Sequence, residues 1–172
     1  MIFEFLGVVL AGVAASGVAL VARRALRAVP GWVVPMAAGA AMIVAAASLE
    51  QSWYGRTVAA LPPRVEVAVT HESRAPWRPW TYLSPYVDRF VAVDHGSVMT
   101  HAAAPERRIA DVLVFGRWTP PRRVRAAFDC AQGRRADLVE GVSLGANGAI
   151  EGAGWIETGL DDPLTRVACA EA

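Results

Sequence analysis

Two long stretches without a charged residue, 5–22 and 28–49, constrain this chain of 172 residues more than any other feature. Phe5 to Ala22 supplies eighteen apolar or small residues, and Val29 to Leu49 supplies twenty-one. At about 1.5 Å of rise per residue, each helix covers most or all of a hydrocarbon core roughly 30 Å thick. In hydrocarbon a backbone must satisfy its own hydrogen bonds, so both stretches are expected to be helical. The sequence thus predicts a two-helix transmembrane hairpin within residues 1–50, with spans at about 5–22 and 29–49. Pro30 suits a first helical position, and Pro35, one turn further in, is expected to bend the helix.

The short connection carries Arg23, Arg24 and Arg27. Positive loops stay cytoplasmic, so these three arginines are the expected topology determinants, with both chain ends on the opposite side. A cleaved signal peptide is the rival for the first segment. Such peptides open with basic residues, whereas the first charged side chain here is Glu4, so a retained helix is expected. Gly12 and Ser16 lie on one side of the first span, and Ala37, Ala41 and Ala45 on one side of the second. Small residues at this spacing let backbones approach closely, which predicts that the two helices pack on each other. Docking onto a larger membrane complex is the alternative. No charge lies deep in either span, which argues against a transporter or proton channel.

Beyond residue 49 the material changes. Nearly all ionisable groups lie there, positive and negative close to balance, and the whole chain carries a net charge of +1. Without a basic stripe to displace counterions, a nucleic-acid partner is not expected. Trp53 and Tyr54 suit a headgroup layer. Leu61-Pro62-Pro63 ends any helix, so 51–63 reads as a juxtamembrane linker and 64–172 as a separate β-rich domain. Val65 to Thr70 alternates with period two, as a half-buried strand does. The segment Ala75 to Tyr86 holds three prolines, which exclude a long helix or a central strand. Its rings, Trp77, Trp80, Tyr82 and Tyr86, are the candidate partner-binding residues, or a lip that rests on the bilayer. Exposed aromatic patches are the exception in stable monomers, which favours rings folded against their own domain.

Further strands are expected at 89–94 (ending at His95-Gly96), at 111–118 (closed by Thr119-Pro120-Pro121), at 124–130 and at 135–143. Asn147-Gly148 signals a hairpin reversal. Asp162 is placed to cap a final helix, Pro163 fits its first position, and Leu164, Val167 and Ala168 share one face. The expected class is therefore α+β: two membrane helices, then a small antiparallel sheet with a C-terminal helix.

Several of these residues carry a resemblance. Val114 to Trp118, Phe128-Asp129-Cys130-Ala131, Arg135, Trp155 and the terminal Val167-Ala168-Cys169 resemble the surface-adhesin protein E domain, over roughly Asp94 to Cys169. That resemblance implies a small antiparallel sheet and a C-terminal helix tied back to a strand by a disulfide. Namesake adhesins are lipoproteins of the outer surface, and this chain has no cysteine near its start to carry lipid. Two spans suit an inner-membrane anchor instead, so host adhesion is not carried over.

The cysteines themselves say something similar. Cys130 and Cys169 are the two in the chain, and both fall in the part expected outside the cytoplasm, where pairing is the default. A redox pair or metal ligands are the rivals, and neither has a close Cys-x-x-Cys spacing behind it. His71, His95 and His101 lack the tight spacing of zinc ligands, so no metal and no cofactor are expected. No hydroxyl sits in a Gly-x-Ser-x-Gly elbow. The glycines between Gly141 and Gly154 do not follow a phosphate-loop pattern and are better explained by tight turns. Arg107-Arg108, Arg122-Arg123-Arg125 and Arg134-Arg135 form basic groups that anionic headgroups or an acidic partner can use. Protection of strand edges by charge is the simpler account.

The expectation is thus a non-enzymatic, membrane-anchored periplasmic interaction or assembly module of a bacterial envelope, in the inner (cell) membrane, partnered by the bilayer and another membrane or periplasmic protein. One alternative is an envelope sensor or enzyme with its site at the 75–90 aromatic segment; another is a surface adhesin.

Overall fold

A computed structural model describes residues 2–26, 29–76, 78, 80–102, 104–138, 143–144 and 150–170. The chain divides into two compact units, Met1–Arg56 and Thr57–Ala172. The first holds helix α1 (Ile2–Ala25) and most of helix α2 (Val33–Ala59). Both are long and apolar enough to cross a membrane, and only 11% and 0% of their most apolar windows are buried inside the protein. Neither is therefore the core helix of a soluble domain, which would hide its apolar residues from solvent.

The helices meet along the small-residue stripe. Gly12 is buried, and a Cβ added there would come within 2.8 Å of Met42 Cγ, so glycine is what admits the thioether. Ala37, Ala41 and Ala45 are the half-buried side of α2. Arg56 of α2 lies 3.6 Å from Glu4 at the start of α1, as an antiparallel hairpin places them. Two local expectations change. Pro30 precedes α2, and Pro35 falls in its first turn, where a missing N–H removes no helical hydrogen bond and no bend is required. The helix also continues past residue 49, through Trp53 and Tyr54, and stops just ahead of Leu61-Pro62-Pro63.

The second unit contains strands β1 (Val65–Ser73), β2 (Tyr86–His101), β3 (Ala104–Gly116), β4 (Thr119–Asp129), β5 (Arg134–Asp137), β6 (Ser143–Leu144), β7 (Ile150–Glu151) and β8 (Ile156–Glu157). It also holds the short helices α3 (Trp80–Leu83) and α4 (Pro163–Cys169). Six strands form a curled antiparallel sheet in the order β1-β2-β3-β4-β5-β8, while β6 pairs with β7. The β2 strand does not end at His95-Gly96. It continues to His101 through a register shift between Asp94 and Met99, held by Ser97 Oγ, which donates to the Asp94 carbonyl (2.6 Å) and accepts from Asp111 N–H (2.8 Å). Pro120-Pro121 does not close a strand either. The two prolines lie inside β4, opposite Phe115, at a register shift where an extra residue needs no ladder bond. The Asn147-Gly148 turn and residues 139–142 of the expected 135–143 return lie outside the described residues; β5 spans Arg134–Asp137.

One face of the sheet buries Val93, Ala110, Val112, Ala126 and Phe128 against Leu164, Val167 and Ala168 of α4. Helix α4 begins as its sequence dictates. The Asp162 carboxylate accepts from Thr165 N–H at 2.9 Å, and Pro163 takes the first turn. Its far end is covalently held, because Cys130, just after β4, is disulfide-bonded to Cys169 with a Cα–Cα distance of 5.7 Å. Gly133 anchors the segment that leads to α4. Its φ is +62°, its carbonyl accepts from the N–H groups of Thr158 and Gly159, and an added Cβ would meet the Gly159 and Leu160 backbone at 2.7 Å.

Two stability outcomes follow. Replacing both cysteines by serine should lower unfolding stability by up to about 4 kcal/mol, the chain-entropy value for a loop of this length. Gly133→Ala should cost roughly 2–4 kcal/mol, since positive φ and backbone overlap add together. Denaturant melts of the full chain measure both.

Candidate functional site

The opposite face of the sheet, away from α4, is charged. Cross-strand register places Asp94 beside Asp111 and Asp111 beside Arg125, all projecting to this side. A second row runs Arg107, Asp129, Arg134, Glu157. The aspartates are buried and the arginines lie over them. Arg64 Nε is 3.1 Å from Asp94, Arg125 Nε is 3.3 Å and Arg123 Nη1 3.5 Å from Asp111, and Arg134 Nη2 is 2.8 Å from Asp129. Exposed guanidiniums contribute little individually, but an aspartate left buried without its partner is costly. Ala92, Ala127 and Ala136 on this side of the sheet are fully buried. Arg123, Arg125 and Arg134, read from sequence as edge protection or as groups for an anionic partner, are therefore committed to neighbours.

Asp129 is the best-satisfied member. Burial alone raises its carboxyl, but the Arg134 hydrogen bond, the Gln132 N–H, the charge of Arg134 and the Ala131 N–H together hold it below the ordinary aspartate value of 3.8. A depressed folded pKa contributes stability that is present above the unfolded value and lost as pH falls through the folded one.

A concave feature lies at the end of the sheet formed by the start of β2 and the β3–β4 turn. This open cleft of about 400 Å³ is lined by Tyr86, Asp88, Arg89, Val114, Phe115, Gly116, Arg117, Trp118, Thr119, Pro120 and Arg122. Two bulges shape it. Asp88 is the extra residue where β2 passes β1, and Pro120-Pro121 is the extra step where β4 passes β3. Bulges re-aim side chains, and here they aim charge into one hollow. Asp88 Oδ1 is buried without a hydrogen-bond partner among the described residues, while Oδ2 is 3.7 Å from Arg89 Nε. The Arg117 guanidinium sits 4.8 Å from the Trp118 ring centre, and Phe115 stacks on Phe90 at 4.7 Å.

The aromatic segment, a candidate partner surface with rings expected to fold against their own domain, is split. Tyr86 is buried, lines the cleft and has Arg78 6.0 Å above its ring, whereas Tyr82 is 56% exposed. Trp77 lies outside the described residues, and Trp80 opens α3. Thr81, fully buried, pins the turn by accepting from Ala75 N–H (3.0 Å) and donating to the Arg78 carbonyl (2.7 Å). Of the topology arginines, Arg23 and Arg24 occupy the last turn of α1, a favourable place for cations, and Arg27 lies outside the described residues. Among the histidines, His95 Nε2 is 3.1 Å from Glu66, while His71 and His101 are exposed. Among the described residues, no three His, Cys, Asp or Glu side chains come together as metal ligands would.

Sequence reasoning did not single out Asp88, Arg89, Arg117 and Trp118 as a group. The signal was available only as Arg-Phe and Arg-Trp steps near two predicted strand ends. No family model, curated protein or solved structure matches this chain.

The electrostatic account predicts that Asp129→Asn costs about 1–3 kcal/mol at pH 7, the range for losing a buried charged hydrogen-bond acceptor. The deficit should begin to shrink as pH falls below 3.8, where the unfolded carboxylate protonates, and vanish once pH has fallen through the lower native value. Stability curves for both forms between pH 2 and 7 test this.

Proposed function

We propose that the chain is a bilayer-anchored envelope protein whose disulfide-closed β-domain stands on the extracytoplasmic side and works as a non-enzymatic interaction module. The observation that carries this reading is the pairing of two almost unburied apolar helices with a cysteine pair oxidised in the following unit. Apolar helices of this length are stable in hydrocarbon, and disulfides persist in oxidising compartments. Arg23 and Arg24, in the last turn of α1 where the chain turns toward α2, support a cytoplasmic turn and an extracytoplasmic domain. An antiparallel sheet with a terminal helix tied to a strand also supports the proposed kinship with the protein E-like domain, at the level of architecture alone. The interaction role draws on the open cleft, whose lining is charged and aromatic.

Paired fusions at the C-terminus test the topology. Alkaline phosphatase, active only outside the cytoplasm, should be active, and a fluorescent protein that folds only inside should be dark. Replacing Arg23, Arg24 and Arg27 by glutamate should weaken that asymmetry. A bright cytoplasmic fusion on the native chain contradicts the proposal.

A further inference from the structure

The cleft at the β3–β4 turn brings together hydrogen-bonding capacity of both kinds that the described residues leave unused. Neither oxygen of the Asp88 carboxylate accepts a hydrogen bond from them. Oδ1 is buried without a partner, and Oδ2 meets Arg89 Nε only at 3.7 Å. An ionised carboxylate can only accept, and withdrawing it from water without a donor costs free energy. Arg122, on the same cleft wall, can only donate. It is exposed and makes no ion pair among the described residues, whereas its neighbours Arg123 and Arg125 hold Asp111.

This mixture narrows the ligand. An anion drawn to Arg122 meets the Asp88 carboxylate in the same hollow, and a cation drawn to Asp88 meets Arg122 and Arg89. A neutral group that both donates and accepts meets neither obstacle, and a hydroxyl is such a group. The third feature is a ring. Trp118 also lines the cleft, and it stays 53% exposed although Arg117 lies 4.8 Å from its ring centre. Aromatic surface beside a few polar groups suits a ligand with an apolar face and a polar rim. A pyranose has both: hydroxyls around its edge and C–H groups across one face. The cleft is open and about 400 Å³, which admits one unit of a longer chain as readily as a single sugar.

We infer that this cleft binds a neutral saccharide, with Asp88 accepting from and Arg122 donating to its hydroxyls and Trp118 packing on its C–H face. The inference deepens the interaction-module reading and rests on it. The two are separable, because topology fusions read the anchor and a sugar-binding assay reads the cleft.

The test uses the full chain in polyoxyethylene-ether micelles, which carry no sugar, with cellotetraose and the tetramer of N-acetylglucosamine as probes. Saturation-transfer NMR should show transfer to at least one probe, strongest at C–H protons of a pyranose face. Tryptophan emission should change saturably at millimolar sugar, and Trp118→Phe should remove that change. Asp88→Ala and Arg122→Ala should each weaken binding roughly tenfold, the effect of one charge-assisted contact. Arg122 is exposed, so its variant keeps the test valid should Asp88→Ala fail to fold. Arg123→Ala, committed to Asp111, should leave binding within about twofold. Sodium phosphate at matched ionic strength should not displace the sugar. Response to neither probe, binding indifferent to Arg122→Ala in protein with an intact disulfide and native circular dichroism, or displacement by phosphate would each overturn the inference.

Discussion

A helix of two turns has no stability of its own in water, because nucleation fixes several residues before hydrogen bonds repay the cost. Yet α4, seven residues long, supplies the apolar half of the core that buries Phe128, Val93 and Val112. It persists because it is held at both ends. Asp162 and Pro163 define its start, and the Cys130–Cys169 bridge fastens its last residue to the end of β4. The sheet is one layer thick, so the rest of the domain depends on this attachment. If α4 leaves, the central strands lose the cover over one whole face.

The other face is finished by different means. Buried aspartates and overlying arginines form charged rows across β2 to β5 and β8, on the side where Ala92, Ala127 and Ala136 are fully buried. Such a lattice adds little net stability but is intolerant of a missing partner, so it favours one register over its alternatives. Arg64, Arg123, Arg125 and Arg134 pair with aspartates of this lattice, while Arg89, Arg117 and Arg122 line the cleft that bulges open at the β3–β4 turn. That division gives the proposed binding surface its place.

Much of the fold was legible in the residues. Uncharged stretches, the small-residue stripe around Gly12, the alternation of Val65 to Thr70 and the Asp162-Pro163 cap each report local physics that context did not override. The failures share a cause. Gly96 and Pro120-Pro121 read as strand ends because glycine and proline usually interrupt ladders, but β2 ran on past Gly96 through a register shift, and a bulge took the two prolines into β4. Bulges are set by pairing with a distant strand and leave no local mark. The cleft was hidden for the same reason. Arg89, Arg117 and Arg122 become neighbours only through the β2–β3 and β3–β4 registers, which also decide that Arg122 and Arg123 point to opposite faces. Which arginines are available to a ligand is a property of the sheet.

The central claim joins an anchor to an oxidised domain, and the state of two sulfur atoms inside the living cell addresses it most directly. Cells expressing the native chain are quenched in acid, and free thiols are then labelled with a heavy maleimide before denaturing electrophoresis. The account predicts no mass shift unless reductant is added first, and then a shift of two labels. A doubly labelled band without reductant would mean that Cys130 and Cys169 stay reduced where the protein folds, contradicting an extracytoplasmic domain closed by this bridge.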